Sequence, residues 1–201
     1  MQGRCGNTND MNDLARRPVP HMTADDFLAW PGDGRPGKAQ LFDGEVVIMP
    51  PASAVHGTIQ FNLAGLLHAA PRGRLTSRTE GAVRPQIGAS MNVRVPDILG
   101  TFEQAARGQQ TAEQPVLVIE ILSPGNEDTA RENLMAYATI PSVQELVVVH
   151  STRVMAEILV RGPDGAWPAN PHILGAGDTL DIISANLHCP IEALYAGTWL
   201  A

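Results

Sequence analysis

The chain has 201 residues, 44% of them hydrophobic, and a formal net charge of -7. That is enough for one domain with a real core, and too apolar for a disordered chain. No stretch approaches the roughly 18 uninterrupted apolar residues of a membrane helix, and residues 1–20 lack the apolar centre of a signal peptide, so a soluble cytoplasmic protein is expected.

In chain order, residues 1–21 read as a flexible tail. Thr23-Ala24-Asp25-Asp26 is a capping start for a short helix through Trp30. A Gly/Pro-rich loop over 31–37 follows. Residues 41–48 predict a hairpin, with Asp43-Gly44 at a type I′ turn. Ser53 can cap a helix to about Ala70 that carries Val55, Ile59, Leu63, Leu66 and Leu67 on one face. Residues 74–101 fit two or three strands, and 102–114 carry no clear pattern. Residues 115–122 are a buried strand. A helix over roughly 127–139 starts near Asn126. Strands over 143–149 and 153–160 form a hairpin, 162–165 is a turn, and a strand near 179–183 and a short helix near 190–196 end the chain. This order predicts an α/β fold with a mixed sheet. Cys5 and Cys189 match no metal-finger spacing.

The buried strand carries the chemistry. Pro115-Val-Leu-Val-Ile-Glu-Ile-Leu122, closed by Ser123-Pro124, is apolar on both faces except at Glu120. An ionised carboxylate is costly to bury unless it is paired or bound to a metal. Val93 to Leu99 offers a second acid, Asp97, on a strand-like segment. Two acids on neighbouring strands with no evident lysine beside them point to a divalent-metal site. The one lysine of the chain, Lys38, sits just after the Gly/Pro-rich loop, and no other position can supply a catalytic ammonium. The acidic total argues against a general nucleic-acid binder. Its distribution runs the other way over 72–96, where Arg72, Arg74, Arg78, Arg84 and Arg94 face a single acid, Glu80. Such a basic band beside an acidic metal site suits a phosphate backbone, or is simply a solvated arginine-rich hairpin.

Asp43-Gly44-Glu45, His56, Pro96-Asp97 and Val118 to Pro124 together resemble the Uma2 family, as do Tyr137 and Ile140 to Glu145. The resemblance runs from about Met22 to the C-terminus. It implies a single domain over 22–201 with a restriction-endonuclease-like mixed β-sheet flanked by helices (the PD-(D/E)xK nuclease fold). It also implies a Mg²⁺-dependent (or Mn²⁺-dependent) DNA endonuclease, working as a homodimer. Asp97 and Glu120 would hold the metal, with the Ile121 carbonyl as a further oxygen, and Glu45 would reach the same cleft. His56, Arg84, Arg94, Arg131 and Tyr137 are the substrate-side candidates.

One departure matters. Nucleases of this fold place a lysine two residues after the second acid, where this chain has Leu122. The family supplies it from the next helix, where this chain has Asn133. Asparagine hydrogen-bonds a water but supplies neither positive charge nor a proton shuttle, and Arg131 is the candidate substitute cation. The alternative reading is therefore a catalytically impaired member serving as a nucleic-acid or protein interaction module. A hydrolase acting on another phosphoester is a third.

Overall fold

The computed structural model describes residues 21–70 and 75–201. The expected tail, apart from His21, lies outside them, as do Cys5, Arg72 and Arg74. Among the described residues three α-helices and ten strands follow in chain order: α1 (Ala24–Ala29), β1 (Lys38–Phe42), β2 (Glu45–Met49), α2 (Ala54–Ala69), β3 (Thr76–Thr79), β4 (Ile98–Thr101), β5 (Pro115–Leu122), α3 (Glu127–Ala138), β6 (Glu145–His150), β7 (Met155–Val160), β8 (His172–Gly175), β9 (Thr179–Ile182) and β10 (Leu187–Pro190).

Local chemistry sets the starts and turns. Thr23 and Asp26 form a reciprocal capping box on α1. The Ser53 hydroxyl accepts from the His56 N–H at 3.2 Å and opens α2. The β1–β2 hairpin turns through Asp43 (φ 47°) and Gly44 (φ 88°), the left-handed pair a two-residue I′ turn needs. Asn92 locks that turn, accepting from Asp43 N–H and donating to its carboxylate at 2.8 Å. Asn126 stands at the N-cap of α3, but its side chain turns back to accept from Ser123 N–H at 2.7 Å, so it caps nothing.

Six strands form one mixed sheet in the order β3-β4-β5-β6-β7-β8. The β5–β6 pair is parallel, joined by α3, and the other pairs are antiparallel. β5 is central and its faces divide cleanly. Leu117, Ile119 and Ile121 enter a core shared with α2 and the C-terminal segment. Val118 and Leu122 enter a second core under α3, with Ala130, Leu134 and Tyr137. The run of β5 is apolar on both faces because a helical layer covers each.

Two C-terminal expectations change. The helix near 190–196 is a 3-10 turn, Ile191–Tyr195. It follows a short strand, β10, that pairs with β9 and was not anticipated, and β8 was not anticipated either. In the 74–101 span two strands form, while Val83 and Arg94 make an isolated bridge and Val93 bridges Leu41 of the hairpin. Among the described residues no helix is long and apolar enough to cross a membrane.

Candidate active site

β4 and β5 pair antiparallel with Ile98 opposite Ile119 and Leu99 opposite Val118. One further step of that register sets Asp97 opposite Glu120, on the same face of the sheet. The two acids therefore meet although 23 positions separate them in sequence. Both are buried, at 4% exposure each. They lie in a cleft of about 740 Å³ bounded by the start of β1, the end of β2, the first turn of α2, the Ser123–Asn126 loop and the inner face of α3.

Asp97 is heavily bonded. Its Oδ2 accepts from the Ile121 N–H at 2.7 Å. Its Oδ1 accepts from Lys38 Nζ at 2.9 Å and lies 3.3 Å from His56 Nε2. Burial alone would raise its pKa. The His56 hydrogen bond, the Lys38 and His56 charges and the Ile121 N–H outweigh that, and hold the carboxyl well below the usual carboxylate range. His56 is fixed at both ends, since Nδ1 is 3.2 Å from Ser123 Oγ, itself 3.2 Å from Ser151 Oγ.

Glu120 is the opposite case. Its Oε1 accepts from Tyr137 OH at 2.7 Å and from Asn133 Nδ2 at 3.4 Å. Burial, then the negative charge of Asp97, push its pKa up to about 8, against the lowering pull of Lys38 and the Tyr137 hydroxyl. Tyr137 is in turn driven well above the ordinary tyrosine value by burial and by Glu120. Asn133 and Tyr137 are neighbours on the buried face of α3 at i, i+4 spacing, which brings both to one carboxylate.

The other candidates lie elsewhere. Glu45 is exposed at the start of β2, bridges the backbone of His21 and does not line the cleft; the pleat of β2 turns it outward while Val46 points to the core. Arg131 leaves the buried stripe of α3 and grips Glu157 with two bonds of 2.7 and 2.6 Å. Arg84 pairs with Asp25 of α1 at 2.5 Å. Arg94 is buried behind the hairpin, its guanidinium 3.5 Å over the Phe42 ring, donating to Leu41 O and Asn92 Oδ1. Arg78 reaches the Glu103 carbonyl. None of these four arginines lines the cleft. The Ile121 carbonyl accepts a long 3.4 Å bond from Asn126.

Three cleft residues were not singled out for these roles. Lys38, expected only as the sole lysine of the chain, brings its ammonium from β1 to Asp97. Gln40, two residues on and on the same face of β1, accepts from Val95 N–H at 3.1 Å and from Asn133 at 3.4 Å. Glu80 lies at the cleft rim in a left-handed conformation (φ 52°), its N–H on the Asp97 carbonyl at 3.2 Å. Alternate positions of a strand share a face, which pairs Gln40 with Lys38, the chain's one lysine, but nothing local in the sequence brings β1 to the cleft.

A mixed sheet flanked by helices, with two opposed carboxylates where β4 and β5 meet the cleft, is the restriction-endonuclease-like α/β fold. The chain belongs to the Uma2 family, whose model is described as "Putative restriction endonuclease" and matches residues 24–191. It is 28% identical to "Uncharacterized protein slr1290" of Synechocystis sp., an alignment covering 90% of this chain and 94% of that one. The fold is similar to a crystal structure of "a putative nuclease belonging to DUF820" from Anabaena variabilis, with TM-score 0.70 and 17% identity, covering 90% of this chain and 99% of the other.

Proposed function

We propose that this protein is a Mg²⁺- or Mn²⁺-dependent endonuclease that hydrolyses phosphodiester bonds of DNA. The observation that carries the reading is the register pairing of Asp97 with Glu120 in a cleft that also receives the ammonium of Lys38. Among the described residues no group of three or more His, Cys, Asp and Glu is arranged to hold a metal ion. The donors on offer are instead two facing carboxylates. Two facing buried carboxyl groups, one held low and one forced up to about 8 because both cannot readily ionise together, present the arrangement that a hard divalent cation neutralises. Asp97 and Glu120 would hold it. When bound, such an ion polarises a phosphodiester and lowers the pKa of a water.

The chain's own residues supply the rest. Lys38 donates one of its three ammonium protons to Asp97 and keeps the others for a phosphate oxygen, where negative charge grows as the attacking water bonds to phosphorus and the ester P–O bond breaks. The attacking water gives up a proton to solvent through the open cleft, and the departing ester oxygen takes one from Lys38, the ammonium in reach of the carboxylates, which solvent then reprotonates. His56, braced by Ser123, holds Asp97 from the other side and fixes its orientation. Tyr137 and Asn133 do the same for Glu120. Lys38 thus takes the place of the lysine absent at positions 122 and 133, which favours an active enzyme over the impaired module.

DNA as substrate rests on the family description and on the open cleft, since the described part of the arginine band is spent on structural partners. A homodimer belongs to the same reading by analogy with enzymes that cut both strands, and sedimentation of the purified chain tests it. The test of the function is cleavage of supercoiled and linear DNA with Mg²⁺, with and without chelator, by wild type and Asp97→Asn. Metal-dependent nicking that Asp97→Asn loses is expected. Equal cleavage by both proteins, or none by wild type with any DNA and either ion, overturns the reading.

A further inference from the structure

Asn133 is 2% exposed, lines the cleft, and leaves its side-chain oxygen buried with no hydrogen-bond partner. Buried acceptors are rarely left so. The orientation of the amide is not arbitrary. Val95 N–H donates to Gln40 Oε1, so that oxygen is an acceptor, and Asn133 Nδ2 donates to it. A second acceptor, Glu120 Oε1, takes the same amide nitrogen. Turning the amide over would set its oxygen against the Gln40 oxygen and forfeit that bond. The nitrogen is therefore committed to Gln40 and Glu120, and the oxygen is left over, without a partner, on a residue that lines the same cleft as the two carboxylates.

We propose that Asn133 Oδ1 is a third oxygen ligand of the divalent ion held by Asp97 and Glu120. The inference rests on the metal-dependent reading above and deepens it. An amide oxygen is a hard neutral donor of the kind Mg²⁺ and Mn²⁺ accept alongside carboxylates and water. The α3 position thus supplies a metal ligand, while β1 supplies the cation through Lys38.

The test is Mn²⁺ titration of the full chain by calorimetry, with Mn²⁺ electron paramagnetic resonance as a second readout, on wild type, Asn133→Leu, Asn133→Asp and Asp97→Ala. Asn133→Leu keeps the branched shape and removes both the oxygen and the N–H donor. Asn133→Asp keeps an oxygen and removes the N–H donor, which separates ligation from mere orientation of Glu120. Circular dichroism and melting confirm that each variant is folded. The expected result is an affinity at least about tenfold weaker for Asn133→Leu, and wild-type or tighter affinity for Asn133→Asp. If Asn133→Leu binds Mn²⁺ like wild type while Asp97→Ala has lost it, the ligand role fails and the nuclease reading stands. If a folded Asn133→Asp is as weak as Asn133→Leu, the residue only positions Glu120, and the ligand role fails. If wild type binds no Mn²⁺ with or without DNA, the metal-dependent reading and this inference fall together.

Discussion

Glu120 and Glu157 are both 4% exposed, and their pKa values move in opposite directions. Glu157 receives a bidentate guanidinium fork from Arg131 and lies 2.9 Å from His150 Nε2, and these partners hold its carboxyl below the ordinary range despite burial. Glu120 receives a phenol and an amide, faces another carboxylate, and is driven upward. Burial is common to both, so burial does not distinguish a structural acid from a reactive one. The partners do: a charge already matched has nothing further to bind, whereas an acid next to a like charge in a cleft binds a proton or a cation.

Breaking this contrast from the structural side gives the largest stability effect. Arg131→Ala leaves the Glu157 carboxylate buried with His150 alone, and should cost about 1.5–3 kcal/mol, since the guanidinium is itself half exposed. Chemical denaturation measures it, and cleavage at a temperature where the variant is folded should stay near wild type. A variant that is fully stable yet inactive would move Arg131 back among the reacting groups.

The next effect depends on pH. Glu120 keeps its proton in the folded metal-free protein up to about 8, whereas in the unfolded chain it gives it up near 4.5. Between those values the folded state holds more protons than the unfolded state, so Glu120 makes stability fall as pH rises. Glu120→Gln removes that slope. In chelator, its melting temperature should gain on wild type from pH 5 to pH 8, by about 2–4 °C for each kcal/mol recovered. Parallel pH profiles for the two proteins would show that Glu120 is not held protonated. The smallest effect is expected at Arg84, whose partner Asp25 is exposed. Arg84→Ala should change stability by less than about 1 kcal/mol and leave cleavage unchanged. A large fall in DNA affinity would place a substrate contact there.

What could be read in advance follows the same division. β5 and its lone glutamate were legible because a long apolar run closed by Ser-Pro reads as a buried strand, and Asp97 because it sits on a strand-like segment; that the two acids share a face depends on the register of Ile98 opposite Ile119, which the sequence does not state. The capping box at Thr23 and the turn at Asp43-Gly44 are local and were equally visible. Lys38 was not assigned to the cleft because 59 residues separate it from Asp97, and nothing local marks where a hairpin will fold back. The arginine cluster misled for the converse reason. Arg78, Arg84 and Arg94 are close in sequence, yet each is claimed by different partners, and only the tertiary fold decides which. β8 and β10 are four-residue strands containing Gly175 and Pro190, too short and too interrupted to show a period.

The central claim is that the ammonium from β1 works on the two carboxylates where β4 and β5 meet. Single-turnover cleavage of DNA by Lys38→Met against wild type, at saturating Mg²⁺, tests it most directly. The account predicts a rate lower by about 10²–10⁴ with folding intact. Cleavage by Lys38→Met at the wild-type rate would contradict it.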